Sequence, residues 1–194
     1  MNLREYQTTA LKQIKSSFKA GYKAPLLVLP TGAGKTIIFS ELAKEFVNLG
    51  KKVLILVHRR ELLQQACNKL DLINVKYGII SAGFKKTGLE NNQNLQVASV
   101  YTLYRNIHNE LFEPDIIIFD EAHHVAAGTW VKIIEKYNQA LKIGVTATPI
   151  RLDNKPLGKY FDHLIQGVQV QELVNNNYLC NHKVFAGNVQ PNLS

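Results

Sequence analysis

Short apolar runs alternate along the chain with segments whose apolar residues recur at helical spacing. Residues 26–29, 53–57 and 116–119 are continuous apolar runs, which are typical of strands buried on both faces. Residues 3–19 and 37–49 instead carry apolar residues every three or four positions, as amphipathic helices do. This alternation predicts an α/β fold, in which a parallel β-sheet is covered by helices on both faces.

Weaker patterns continue the alternation. Beyond Arg151 the pattern becomes less regular, with a helix predicted over 168–174 and a turn over 175–177. The other predicted strands cover residues 77–80, 95–98 and 143–145, and the other predicted helices cover residues 59–70, 100–106 and 130–137.

Polar residues follow the ends of several predicted strands. The carboxyl ends of parallel strands meet at one edge of a sheet, and ligands of such folds bind beyond that edge. We therefore expect one rim to contain Thr31, His58, Ser99, Asp120 and Thr146.

The segment between the first predicted strand and the next helix reads Leu-Pro-Thr-Gly-Ala-Gly-Lys-Thr at residues 29–36. Such a loop can turn its backbone N–H groups towards phosphate oxygens at the positive end of a helix. Lys35 would reach the β- and γ-phosphates of ATP, and the Thr36 hydroxyl would ligate Mg²⁺. The usual pattern has Gly or Ala where this chain has Leu29, and a glycine-rich turn without a ligand is the alternative. The residues predicted to bind ATP here are Pro30, Thr31, Gly32, Ala33, Gly34, Lys35 and Thr36.

The strand predicted over 116–119 runs directly into Asp-Glu-Ala-His-His at residues 120–124. Asp120 is predicted to hold the Mg²⁺ of the nucleotide, mostly through water, and Glu121 to orient the attacking water. A transition-metal site built from His123, His124 and the two acids is the alternative. Hard Mg²⁺ with phosphate accounts for the acids better.

Three residues are candidates for communication within the domain. His123 is predicted to link the nucleotide to the rest of the domain. Thr146 and Thr148 follow the last predicted strand, at a strand end that faces Asp120 and His123, and are expected to form a hydrogen-bonded link there, although simple turn hydroxyls are the alternative. His124 is predicted to be only a polar residue at the start of a loop.

Composition narrows the function classes without choosing one. The 194 residues carry a net charge of +8, which favours a polyanionic partner such as nucleic acid. The two cysteines, Cys67 and Cys180, have no paired metal spacing and indicate a reducing, cytoplasmic compartment. No apolar run has the length of a signal peptide core or a membrane span, so no membrane association is expected.

Three motifs together resemble superfamily 2 helicases of the DEAH-box type. Residues 31–36, 120–123 and 146–148 are similar to the family's motifs I, II and III, in the family's order and spacing. The resemblance implies a RecA-like P-loop NTPase domain that is the ATP-binding half of a helicase or translocase. In such an enzyme Lys35 and Glu121 are the expected catalytic residues, and ATP and Mg²⁺ are the expected cofactors.

Further segments match the family more weakly. Residues 3–7 resemble its adenine-reading segment, so Arg4 and Gln7 are expected to contact the base. Residues 58–62 and 99–103 resemble motifs Ia and Ib, which touch the nucleic-acid backbone in the family. The residues expected to bind nucleic acid are therefore His58, Arg59 and Ser99.

The wording of these motifs resembles one branch of the superfamily, which holds restriction-enzyme motor subunits and bacterial DNA-repair helicases. That branch acts on duplex DNA, so the resemblance implies DNA as substrate and restriction or repair subunits as partners. A nucleotide-dependent regulatory module, or an RNA-acting helicase domain, is the alternative. DNA stimulation of ATP hydrolysis separates a motor from a regulatory module.

The domain organisation follows from the same resemblance. Residues 1–170 are expected to form the RecA-like domain, and residues 171–194 to begin a linker towards a second RecA-like domain. The sequence has no Gln-x-x-Gly-Arg-x-x-Arg, which is the family's motif VI and supplies its arginine fingers. Without these arginines the chain alone is expected to bind nucleotide with near-background ATP hydrolysis.

Overall fold

A single parallel sheet with helices on both faces confirms the predicted fold class. The computed structural model describes residues 3–83, 93–108, 112–149 and 157–180. Within these residues the strands are β1 (Pro25–Val28), β2 (Val53–Val57), β3 (Gly78–Ile80), β4 (Leu95–Ser99), β5 (Ile116–Asp120), β6 (Leu141–Thr146) and β7 (His163–Gln166). The α-helices are α1 (Glu5–Lys19), α2 (Lys35–Asn48), α3 (Arg60–Leu72), α4 (Val100–Arg105), α5 (Gly128–Lys136) and α6 (Val170–Asn175).

The strand order in the sheet is β3-β4-β2-β5-β6-β1-β7, and every pair of neighbours is parallel. The central strands β2 and β5 are buried along their whole length. This position explains why β2 and residues 116–119 of β5 are continuous apolar runs and not alternating ones.

Each face of the sheet carries its own hydrophobic core. Ile116 and Ile118 of β5 point into the core covered by α1, α2, α3 and α6, whereas Ile117 and Phe119 point into the core covered by α4 and α5. The alternation follows from the two-residue period of a strand. The buried Trp130 of α5 packs in the second core, with its ring centroid 5.9 Å from that of Phe119.

The last part of the described chain differs most from the sequence-based expectation. Strand β7 was not predicted, because only Ile165 among its four residues is buried, so it lacks the apolar signature of a central strand. It forms an edge strand beside β1. Helix α6 was predicted, and its Leu173 is completely buried in the same core as α1. The boundary between domain and linker at residue 170 stays a prediction.

Helices long and apolar enough to cross a bilayer are absent from the part of the chain that the structure describes. The longest helix there, α1, has 15 residues and is amphipathic. A membrane span needs about 20 apolar residues.

We predict that Gly144→Ala destabilises the fold. Gly144 lies on β6 between Leu26 of β1 and Phe119 of β5, and a Cβ at this position would lie 2.6 Å from the side chains of both Leu26 and Phe161. Overpacking of this kind lowers the free energy of unfolding by about 1–3 kcal/mol, which denaturant titration measures.

Gly158→Ala is the matched control, because a Cβ there has nothing within 4 Å. Equal stability of the two variants would contradict the steric argument at Gly144.

Candidate functional site

The carboxyl edge of the sheet brings the predicted site residues together. Because all the strands are parallel, the residues that follow them line one edge in the order of the strands. Along this edge lie Ser99 at the end of β4, His58 after β2, Asp120 at the end of β5, Thr146 at the end of β6 and Thr31 after β1.

The loop between β1 and α2 has the backbone that phosphate binding requires. Gly32 and Gly34 have φ angles of 82° and 76°, in the left-handed region that glycine adopts without strain. Helix α2 begins at Lys35, so its positive N-terminal end faces the loop. A Cβ at Gly34 would lie 2.7 Å from the amide nitrogen of Gln7, so the position also needs glycine for packing.

Two side chains of helix α1 hydrogen-bond to this loop. The Tyr6 hydroxyl donates a hydrogen bond of 2.9 Å to the Ala33 carbonyl, and the Gln7 amide donates a longer one of 3.5 Å to the same oxygen. The side-chain oxygen Oε1 of Gln7 accepts a hydrogen bond of 3.0 Å from the Arg4 backbone N–H. Gln7 is only 3% exposed, so its observed contacts fix the loop and the start of α1. The sequence pattern assigned Tyr6 to the apolar face of α1 and gave no signal for this hydrogen bond.

Arg4 lies beside the same loop and contacts the segment that follows α6. Its guanidinium carbon is 4.2 Å from the ring centroid of Tyr178, which is a cation–π contact. The Tyr178 ring also lies 5.8 Å from that of Tyr6. A Cβ at Gly32 would be 2.8 Å from a methyl carbon of Leu179. Residues after α6 therefore pack against the start of α1 and the loop between β1 and α2, which the sequence did not predict.

Asp120 is a buried carboxylate at the end of β5, with 5% of its surface exposed. Burial and the neighbouring Glu121 carboxylate together raise its pKa to about 6, against the smaller lowering effects of the Glu121 backbone N–H and the Lys35 ammonium. The charge of Lys35, which follows the loop between β1 and α2 (the phosphate loop), therefore acts on Asp120 at the end of β5. A carboxylate held away from water beside a second acid fits an oxygen-ligated divalent cation, which would offset the cost of its charge.

The backbone turns sharply at Glu121. Its φ of 52° and ψ of 53° lie in the left-handed region, which a residue with a Cβ rarely adopts. Such strain persists only where the surrounding structure imposes it, and it is concentrated at functional sites. The turn starts a short 3₁₀ helix, Ala122–His124, and directs His123 towards β6.

A hydrogen-bonded link joins His123 to the end of β6, as the sequence predicted. The His123 Nδ1 lies 3.0 Å from the Thr146 hydroxyl and 3.3 Å from a carboxylate oxygen of Glu121. The Thr146 hydroxyl in turn accepts a hydrogen bond of 3.2 Å from the Thr148 N–H. His123, Thr146 and Thr148 thus connect two neighbouring strand ends.

The alternative of a metal site made by side chains alone has no support in the described residues. They contain no group of three His, Cys, Asp or Glu side chains arranged to hold a metal ion. The rings of His123 and His124 pack against each other, with centroids 4.2 Å apart, instead of converging on one point.

The predicted nucleic-acid residues lie at the same edge. Arg59 is exposed and precedes the first residue of α3, whereas Ser99 ends β4 directly before α4. An open cavity of about 480 Å³ lies at this edge, and its lining includes Thr31, Arg59, Glu121 and Thr148.

His124 was predicted to be only a polar residue at a loop start, and that prediction is wrong. Its side chain is half-buried and stacks on the ring of His58 at a centroid distance of 4.5 Å. The contact joins the loops after β2 and β5, which the sequence alone does not show to be neighbours.

Comparison with known proteins places the chain in a recognised group. Residues 1–151 match the family described as type III restriction enzyme, res subunit. The chain is 33% identical over 207 residues to the candidate ATP-dependent helicase IRC3 of Saccharomyces cerevisiae, covering 99% of this chain and 30% of that protein. It is 30% identical over 157 residues to the DNA 3'-5' translocase XPB2 of Sulfurisphaera tokodaii, covering 80% of this chain and 33% of that protein. The chain therefore spans about a third of the length of these relatives.

The same fold occurs in a solved structure of a nuclease-deletion mutant of the Type ISP restriction-modification enzyme LlaGI in complex with a DNA substrate mimic. The TM-score is 0.71 at 17% sequence identity, and the match covers 92% of this chain and 21% of LlaGI. At this identity the likeness shows the fold alone.

We predict that Asp120→Asn stabilises the chain at neutral pH when divalent metal is chelated. Because the pKa of Asp120 is raised from 3.8 to about 6, the folded chain binds this proton more tightly than the unfolded chain does. The free energy of unfolding therefore falls as pH rises through this window, and it stays level above it. At roughly 1.4 kcal/mol per pKa unit, a neutral amide should recover about 1–3 kcal/mol at pH ~7.5.

Thermal unfolding with a chelator at pH ~7.5 and at pH ~4 measures this difference, which should be much smaller at the lower pH. Glu135→Gln, at an exposed carboxylate of α5, is the control. If the Asp120→Asn variant were no more stable than the parent chain at pH ~7.5, a destabilising buried charge at this position would be ruled out.

Proposed function

The chain belongs to the family of the type III restriction enzyme res subunit and is a RecA-like ATP-binding domain of the superfamily 2 helicases, and from this membership we propose that it couples Mg-ATP hydrolysis to movement along duplex DNA. The observation that carries the proposal is the carboxyl edge of the sheet. There Thr31 of the phosphate loop, the acid Glu121 and the exposed Arg59 line one cavity, and the buried Asp120 directly precedes Glu121 at the end of β5.

The loop over residues 30–36 binds the phosphates of ATP in this proposal. The left-handed glycines and the N-terminal end of α2 supply backbone N–H groups and a positive dipole. Lys35 supplies a full positive charge to the β- and γ-phosphates, where it stabilises charge during hydrolysis. At the other end of the nucleotide, Arg4 and Gln7 would lie beside the base.

Asp120 and the Thr36 hydroxyl would hold Mg²⁺ in the same proposal. When bound, the ion neutralises phosphate charge and orients the γ-phosphate. Its chemistry agrees with the site, because a buried carboxylate with a raised pKa favours a nearby cation. The second acid, Glu121, is then free to orient the attacking water and to accept its proton.

The nucleic acid would bind at the rim formed by His58, Arg59 and Ser99. A net charge of +8 favours a polyanion, and the exposed Arg59 is suited to a phosphate contact. Duplex DNA is the proposed substrate, because the relatives include a DNA translocase and LlaGI was solved with a DNA substrate mimic. A second RecA-like domain, restriction or repair subunits and a cytoplasmic location complete the proposal, and these rest on family membership alone.

The direct test of the nucleotide site is Lys35→Ala. A hydrogen bond to a charged group contributes about 1.5–3 kcal/mol, so the affinity for Mg-ATP should fall by about 10- to 100-fold while the fold is retained. Titration with a fluorescent ATP analogue measures the dissociation constant, and thermal unfolding checks the fold.

Lys12→Ala removes an exposed lysine of α1 and should leave nucleotide binding unchanged. If Lys35→Ala bound Mg-ATP as tightly as the parent chain, the assignment of the phosphate loop would fail.

Arg59→Ala tests the nucleic-acid rim. Loss of one phosphate contact should weaken duplex DNA binding equally for unrelated sequences, and the slope of log K against log salt should flatten by about 0.9. Fluorescence anisotropy across a salt series gives both quantities.

The control is Lys51→Ala, which removes an exposed positive charge just before β2, at the opposite edge of the sheet. A salt slope reduced equally by both variants would indicate a diffuse charge effect and would contradict a DNA contact at Arg59.

A further inference from the structure

We infer that His124 is a positioning residue that transmits the state of the nucleotide site to the nucleic-acid rim, through ring contacts with His123 and His58. The inference rests on the proposed function, since it names the contact through which that function's two sites communicate. The three side chains are called the imidazole row below (His58, His124 and His123).

The topology of the sheet creates the row. The strand order places β4, β2, β5 and β6 side by side, so the loops that follow them are neighbours at the carboxyl edge. His58 follows β2, while His124 and His123 follow β5. Helix α4 with Tyr101 follows β4, on the far side of His58. The order of the rings in space is therefore the order of the strands.

Each step along this edge is a direct contact. The Glu121 carboxylate lies 3.3 Å from the Nδ1 of His123. The ring centroids of His123 and His124 are 4.2 Å apart, and those of His124 and His58 are 4.5 Å apart. The last step, from His58 to Tyr101, is 6.0 Å between centroids. The three centroid distances lie within or slightly below the range at which aromatic rings interact favourably.

His58 depends on the row for its orientation. Its Nδ1 is buried and has no hydrogen-bond partner among the residues that the structure describes. The ring is held by the stack on His124 and by the tilted contact with Tyr101. A shift of the His124 ring would therefore change the position of the His58 ring directly.

At the nucleotide end of the imidazole row, His123 is held by two polar side chains of the proposed nucleotide site. His123 contacts both the Glu121 carboxylate and the Thr146 hydroxyl through the same nitrogen. Glu121 has a left-handed backbone, so a change in its side-chain contacts acts on an already strained turn. His123 and His124 are adjacent residues of one short 3₁₀ helix, so their backbones are directly joined.

The rim end of the row reaches solvent. Tyr101 is 58% exposed, and Arg59, the residue after His58, is exposed as well. Nucleic acid that contacts these side chains would act on His58, which is otherwise half-buried. Because coupling between two binding sites is reciprocal, the same row would carry information in both directions.

The experiment measures that coupling and not either affinity alone. The dissociation constant for a fluorescent duplex DNA is measured without nucleotide and with a saturating non-hydrolysable ATP analogue and Mg²⁺. The ratio of the two constants should be at least about fivefold in the unmodified chain. In His124→Ala the ratio should fall to within about twofold of one, with analogue affinity without DNA retained.

His124→Phe keeps a ring at this position and should retain the ratio of the unmodified chain, which a general loss of packing would not explain. If His124→Ala is too unstable to assay, His124→Leu keeps the bulk without the π system and replaces it. A ratio unchanged in the Ala or Leu variant would overturn the inference. So would a Phe variant that behaves like Ala, or an unmodified chain with a ratio of one.

Failure of the underlying proposal would look different. If the unmodified chain bound neither the analogue nor DNA, the proposed function would be wrong and the inference would fall with it. If both ligands bound normally and only the ratio ignored His124, the proposed function would stand and the role of His124 would be excluded.

Discussion

Parallel pairing of every strand is the constraint on which the rest of the molecule depends. A parallel sheet brings all carboxyl ends to one edge, so residues from distant parts of the sequence meet there. The phosphate loop, the buried acid, the His123–Thr146 link and the basic rim are each local consequences of where a strand ends. If one of the strands β1, β2, β5 or β6 ran antiparallel, its loop would lie at the opposite edge, and the cavity lined by Thr31, Arg59, Glu121 and Thr148 would lose one wall.

The apolar strands make this edge rigid enough to hold groups that are unfavourable by themselves. Asp120 is kept at 5% exposure although burial disfavours its charge, and Glu121 is kept in a left-handed backbone conformation. Both are tolerated because β5 is buried on both faces and fixed between β2 and β6. The free energy contributed by the hydrophobic core therefore offsets the cost of the buried Asp120 charge and of the left-handed backbone at Glu121.

The sequence predicts the sheet and the phosphate loop well, and for a physical reason. Central strands must be apolar on both faces, and the loop needs glycine where the backbone is left-handed, so both leave a signal in consecutive residues. Strand β7 leaves none, because an edge strand with Ile165 as its single buried residue needs no apolar run. The bond from Tyr6 to Ala33, the Arg4–Tyr178 contact and the stack of His58 on His124 were also missed. These contacts join segments far apart in the sequence, and periodicity along the chain does not record which loops become neighbours.

The left-handed turn at Glu121 also bears on how this domain would respond to directed evolution. Glycine tolerates that backbone without strain, and asparagine adopts it more readily than glutamate, so either residue would relieve a local penalty of about 1–2 kcal/mol. A laboratory selection for heat resistance alone would therefore favour replacing the very carboxylate that faces His123. Populations screened only for folding would accumulate thermally stable chains that lack the carboxylate at position 121. Selection for turnover has to be imposed at the same time, because at position 121 the two pressures point in opposite directions.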